Sequence, residues 1–157
     1  MESQLTILAE SLDKKLEVLK EIMRYNEEQE KSLASNAVDL DSFDASAEKK
    51  GKLIDKLQRL DAGFETMYAG LSKELMDNRE TYKEQIRLLQ QKVTEVTELS
   101  VSVMAQEKRN KKLVEDFFAK ERESIRSNRK SSKAAYDYYR NMNRSDYVPP
   151  QFMDSKK

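Results

Sequence analysis

The chain has 157 residues with 29 basic and 29 acidic side chains, no histidine, no cysteine, no tryptophan and three glycines. Transition-metal sites are built mainly from His nitrogen and Cys sulfur, neutral-pH proton transfer is most often done by His, and the common covalent nucleophiles are Cys or lean on a His partner. Those routes are closed, and isolated glycines without a Gly-Lys-Ser/Thr run give no phosphate-cradling loop, so the composition implies a binding protein with no cofactor and no metal rather than an enzyme.

Hydrophobic residues make up 38% and charged ones 37% of the chain, against about 45–50% and about 25% in an ordinary globular domain. Such a chain cannot surround a thick core. The expected fold is all-α, an elongated antiparallel helical bundle or coiled coil in which each helix buries one stripe. Disorder is disfavoured because net charge is zero and the apolar residues are regularly spaced. Without cysteine no disulfide forms, and acidic residues at Glu2, Glu10, Asp13 and Glu17 break any apolar leader or spanning run. The expectation is a soluble, cytoplasmic chain with no stable membrane insertion.

A first helix is predicted over about residues 2–35. Leu5, Leu12, Leu19 and Leu33 fall on one heptad column, Ala9, Leu16 and Met23 on the other, and Leu8 and Ile22 widen the stripe to a bundle-type face. Asn26 and Glu30 interrupt the columns, so the stripe is expected to weaken toward Ser35-Asn36. Val38 to Phe43 reads as a turn, with Asp41 or Ser42 as N-cap of a second helix over 43–60 carrying Leu53, Ile54, Leu57 and Leu60. At Leu60-Asp61-Ala62-Gly63-Phe64 either Asp61 caps a new helix or the helix bends through Gly63. A third helix over 61–77 is assigned from Phe64, Met67, Tyr68, Leu71 and Leu75.

From residue 79 to 130 there is no Gly and no Pro, and Tyr82, Ile86, Leu89, Val93, Val96, Val103, Val114 and Phe117 keep three-and-four spacing. A helix of that span is about 75 Å long and can serve as a spine. Ser100, Glu107 and Asn110 break its columns and read as register control or surface exposure. Residues 1–130 therefore form the bundle, and residues 131–157 a distinct tail holding Tyr136, Tyr138, Tyr139, Tyr147, Met142, Phe152, Met153 and both prolines. Ala135, Tyr139 and Met142 fit one face of a short helix, and Pro149-Pro150 favours extended chain beyond it.

Charge is uneven. Residues 1–50 carry seven basic and twelve acidic side chains, and residues 106–157 fourteen and eight. This reads either as complementarity between helices or as a basic region, Lys108-Arg109-Asn110-Lys111-Lys112 through Lys130 and Lys133, offered to an acidic partner. A pI near 6.4 and interleaved acids argue against nucleic acid. The carboxylates Glu27, Glu28 and Glu30, and Glu121 with Glu123, read as solvated helix face. The aromatic tail is the strongest functional lead. One reading has the terminal helix dock its Tyr and Met residues on the bundle and complete its core; the favoured one is partner binding, since Tyr136, Tyr138 and Tyr139 cannot all face one way on a helix and aromatic rings with Met dominate partner-binding surfaces. A helix-in-groove contact is the natural mode.

Several parts of the chain together resemble the FlgN-type flagellar export chaperones. They are the Leu-repeat first helix, Glu48-Lys49-Lys50-x-x-Leu53-Ile54-x-x-Leu57, and Leu60-Asp61-x-Gly63-Phe64. The long helix and Ala134-Ala135-Tyr136-x-x-Tyr139, leading to Pro150-Gln151-Phe152-Met153-Asp154-x-Lys156-Lys157, complete the likeness. The resemblance implies a cytoplasmic, non-enzymatic chaperone of the flagellar type III secretion system. Such a chaperone holds hook-filament junction proteins as clients, prevents their premature assembly and delivers them to the flagellar export gate. It further implies that the C-terminal part binds the client's terminal helical segment, which carries over to Leu113, Val114, Phe117, Phe118, Tyr136, Tyr139, Met142 and Phe152. A homodimer is compatible with it. Two rivals stand beside this reading: a structural coiled coil that self-associates through the first-helix Leu stripe, and another secretion chaperone or adaptor.

Overall fold

A computed structural model describes residues 1–35, 38–121 and 135–141. The architecture is all-α: α1 spans Glu2–Ala34, α2 Leu40–Asp77, α3 Lys83–Lys120, and a short α4 covers 135–141, with no strand among the described residues. At the rise of an α-helix, α2 and α3 with 38 residues each are about 57 Å long.

The buried face of α1 runs through Leu5, Leu8, Leu12, Val18, Leu19 and Ile22. Ala9, Leu16 and Met23, expected as a core column, are half-buried at its edge. The stripe does not weaken where the first polar residue enters it. Asn26 and Gln29 are 1% and 2% exposed and continue the same face, because polar partners meet them from the other helices.

The two helices expected over 43–60 and 61–77 are one. Asp61 does not cap a new helix; its carboxylate pairs with the buried Lys15 ammonium of α1. Leu57, Phe64, Leu71 and Leu75 carry one buried face straight through Gly63. The start of α2 also differs from expectation. Asp39, not Asp41 or Ser42, is the N-cap, accepting from the amides of Asp41 at 3.1 Å and Ser42 at 3.3 Å. That places Leu40 to Phe43 inside the helix rather than in a turn. At the other end Asn78 closes α2: its backbone N–H reaches the Glu74 and Leu75 carbonyls, and its Nδ2 donates to the Glu74 carbonyl at 2.8 Å. A turn over 78–82 follows, so α3 begins at Lys83 and not at 79. The expected stretch of this helix from 122 to 130 lies outside the described residues.

Cross-helix pairs give the directions. Lys15 meets Asp61 and Asn26 meets Lys50, so numbers fall along α2 as they rise along α1. Asp13 meets Lys92 and Asn26 meets Gln106, so numbers rise together along α1 and α3. The apolar interior has two parts. The larger joins Leu5 to Ile22 of α1, Leu57 to Leu75 of α2 and Leu89 to Val103 of α3. The smaller joins Phe43, Ala47, Val114, Ala135, Tyr138 and Tyr139, with Leu33, Ile54 and Phe118 packed against it. Between them each long helix contributes buried polar side chains: Asn26 and Gln29, Lys50, and Glu107 and Asn110. Ser100 is buried as well, so none of the three polar interruptions of α3 is a surface residue.

Candidate partner-binding site

Lys50 is the centre of the polar layer. It is fully buried, and its Nζ donates to Asn26 Oδ1 at 2.6 Å and to both Glu107 oxygens at 2.9 and 3.2 Å. Burial pulls its pKa below the ordinary lysine value, and Glu107 offsets part of that pull. The Asn110 Nδ2 donates to the Asn26 carbonyl at 2.9 Å, which ties α3 to α1 at the same level.

Helix α4 covers this layer. The Tyr138 hydroxyl donates to Glu107 Oε1 at 2.9 Å, and the Tyr139 hydroxyl to Gln29 Oε1 at 3.3 Å. Their rings meet edge to face at 5.0 Å, and the Lys50 ammonium lies 4.4 Å from the Tyr138 centroid and 5.2 Å from that of Tyr139. A desolvated cation over two aromatic faces is favourable by about 2 kcal/mol or more. Burial first, and the Glu107 charge second, push both phenols above their ordinary value, so they remain neutral donors. Asp44 of α2 lies close to the first turn of α4. Its burial raises its pKa to about 6, the backbone amide of Ala135 opposes that rise, and Asp41 and Glu48 add to it.

Between α4 and the end of α3 lies an open groove of ≈ 460 Å³. Val114, Phe118, Ala119 and the ring of Tyr139 form its apolar lining, and Tyr136 stands in its wall at 59% exposure. Lys111, Glu115 and Arg140 supply charge. On α3 the lining follows from helical spacing, since residues 111, 114, 115 and 118 share one face.

The structure brings four of the sequence-derived residues together here: Val114, Phe118, Tyr136 and Tyr139. They are not equivalent. Val114 and Tyr139 are 5% exposed and build the floor, while Phe118 is half-buried and Tyr136 open. Leu113 and Phe117 are half-buried and do not line the groove, although the Phe117 ring packs on Phe118 at 5.7 Å. Met142 and Phe152 lie outside the described residues. Lys111 belongs to the basic run that the sequence offers to an acidic partner, whereas Glu115, Ala119 and Arg140 carry no such mark; a helical wheel centred on Val114 and Phe118 holds the signal for the first two. A second, smaller groove of ≈ 250 Å³ lies between α1 and α2 around Ile7, Leu60 and Met67.

Over residues 1–144 the chain matches the family described as FlgN protein. The chain belongs to the FlgN family. This is a family of flagellar export chaperones and not of enzymes. No curated protein and no solved structure matches the chain at a significant level. No described helix of this FlgN protein is long and apolar enough to cross a membrane, and the groove at the junction of α3 and α4 falls within the matched residues.

Proposed function

We propose that this FlgN protein is a cytoplasmic chaperone of the flagellar type III system whose clients are hook-filament junction proteins. In this reading it works as an elongated antiparallel bundle over residues 1–130 with an aromatic binding tail over 131–157. The client's terminal helical segment lies with its apolar face on Val114, Phe118, Tyr136 and Tyr139, with Leu113, Phe117, Met142 and Phe152 as further contacts. Covering that face prevents premature assembly, and the loaded chaperone then delivers the client to the flagellar export gate. The observation that carries the reading is the open, aromatic-lined groove at the end of α3 in a chain of this family. Amphipathic helices are recognised by apolar grooves of this kind through anchors at helical spacing.

Titration calorimetry of the full chain against the terminal helical segment of a hook-filament junction protein tests it. Binding is expected with wild type and is expected to be lost on deletion of residues 131–157. Unchanged affinity after that deletion would overturn the assignment. The rival reading of a coiled coil joined through the α1 leucines meets an obstacle: Leu5, Leu8, Leu12, Leu19 and Ile22 are 0–3% exposed within one chain. A dimer built on other surfaces remains compatible with the proposal.

A further inference from the structure

We infer that the α3–α4 groove selects an acidic amphipathic helix, whose carboxylates seat beside Lys111 and Arg140 while its apolar face covers Val114, Phe118 and Tyr139. The inference rests on the reading of this groove as the client seat and adds the chemistry of the occupant.

Three observations carry it. First, Lys111 and Arg140 line the groove from α3 and α4 respectively, and neither is in an ion pair among the described residues; Glu115 is the lone anion of the lining. Two cations against one anion leave the lining net positive. Second, the surrounding sequence has the same sign, with fourteen basic against eight acidic side chains over residues 106–157, and Lys108, Arg109 and Lys112 are exposed on the same stretch of α3. Third, the two polar groups that lie nearest the floor of the groove are already engaged. The Tyr139 hydroxyl is held by Gln29 and the Lys50 ammonium by Glu107 and Asn26, so the floor presents ring and aliphatic surface. Specificity then falls to the charged rim, where complementary charge attracts and like charge repels a partner. A second copy of this chain does not supply the occupant from its acidic first third, because the apolar face of α1 is spent on its own core.

The test uses the full-length protein and two synthetic 18-residue helical peptides with the same Leu and Phe face, one flanked by Glu and one by Lys, followed by fluorescence anisotropy. The Glu peptide is expected to bind at least about fivefold tighter at low salt, with the gap shrinking at high salt. In Lys111→Glu/Arg140→Glu the preference is expected to vanish or reverse, with the far-ultraviolet circular dichroism unchanged. A Glu preference that survives this double reversal places the selecting charge elsewhere and overturns the inference. Equal binding of both peptides, weakened alike by Tyr136→Ser, overturns it too while leaving the groove as the docking seat. Failure of both peptides to bind also overturns it, and the client reading fails with it only where the junction-protein segment is likewise not bound.

Discussion

Lys50 and Glu107 are the side chains that most constrain this core, since both are buried and each leaves the other exposed to a large desolvation cost when removed. Replacing one member of a buried pair strands the other charge, at about 3–5 kcal/mol, whereas replacing both with apolar groups is often neutral. Lys50→Met is therefore expected to lower the urea midpoint by an amount equivalent to about 3 kcal/mol, and Lys50→Met/Glu107→Leu to recover most of it. Equilibrium unfolding with unchanged m-values checks this. Asp44 gives a separate pH signature. Its folded pKa of about 6 lies above the ordinary carboxylate value of 3.8, so the native state holds the proton more tightly than the unfolded chain. Stability contributed by this site falls as pH rises between roughly those two values. Asp44→Asn, which removes the charge at nearly constant shape, is expected to be more stable than wild type above pH 6 and to match it near pH 4. Urea unfolding across that range reads the difference, and parallel curves for the two proteins would remove Asp44 as its cause.

At the level of the helix, Gly63 shows how local and tertiary preferences compete. A glycine one residue beyond Ala62 reads as punctuation, yet α2 passes through it because Leu57 and Phe64 bury on one face and Asp61 is drawn to Lys15. A Cβ placed on Gly63 meets no atom within 4 Å. Gly63→Ala is accordingly expected to stabilise the protein by about 0.5–1 kcal/mol through the unfolded chain, raising the thermal midpoint without altering helicity. The α1 leucine stripe, the existence of the long helix that is α3 and the all-α class were legible because each rests on apolar periodicity. The polar layer was not. Periodicity marks Asn26, Glu107 and Asn110 as gaps, and only the meeting of three helices at one level turns gaps into partners. The groove was legible in part: Val114, Phe118, Tyr136 and Tyr139 stand out as aromatic or apolar and Lys111 stands in a basic run, while Arg140 looks like any surface cation until α4 is placed against α3.

Taken as a whole, the molecule has two apolar clusters joined by a layer that is charged, and α4 is what keeps water from that layer on one side. Tyr138 and Tyr139 cap Lys50 with their rings and donate their hydroxyls to Glu107 Oε1 and Gln29 Oε1, so the state of α4 and the electrostatics of the three-helix core are coupled. The coupling has a sign. With the Tyr138 ring and hydroxyl removed, water reaches the ion pair, the low-dielectric attraction weakens, and an unpaired Glu107 is rehydrated rather than stranded. Lys50→Met should then cost about 1 kcal/mol in a Tyr138→Ala background against about 3 kcal/mol in wild type, a coupling within the range seen for side chains in direct contact. A double-mutant cycle in urea measures it on the full-length chain. Additive effects of Lys50→Met and Tyr138→Ala would mean that α4 rests on the bundle without sealing it, and the groove beside it would then be built on a support independent of the buried charge.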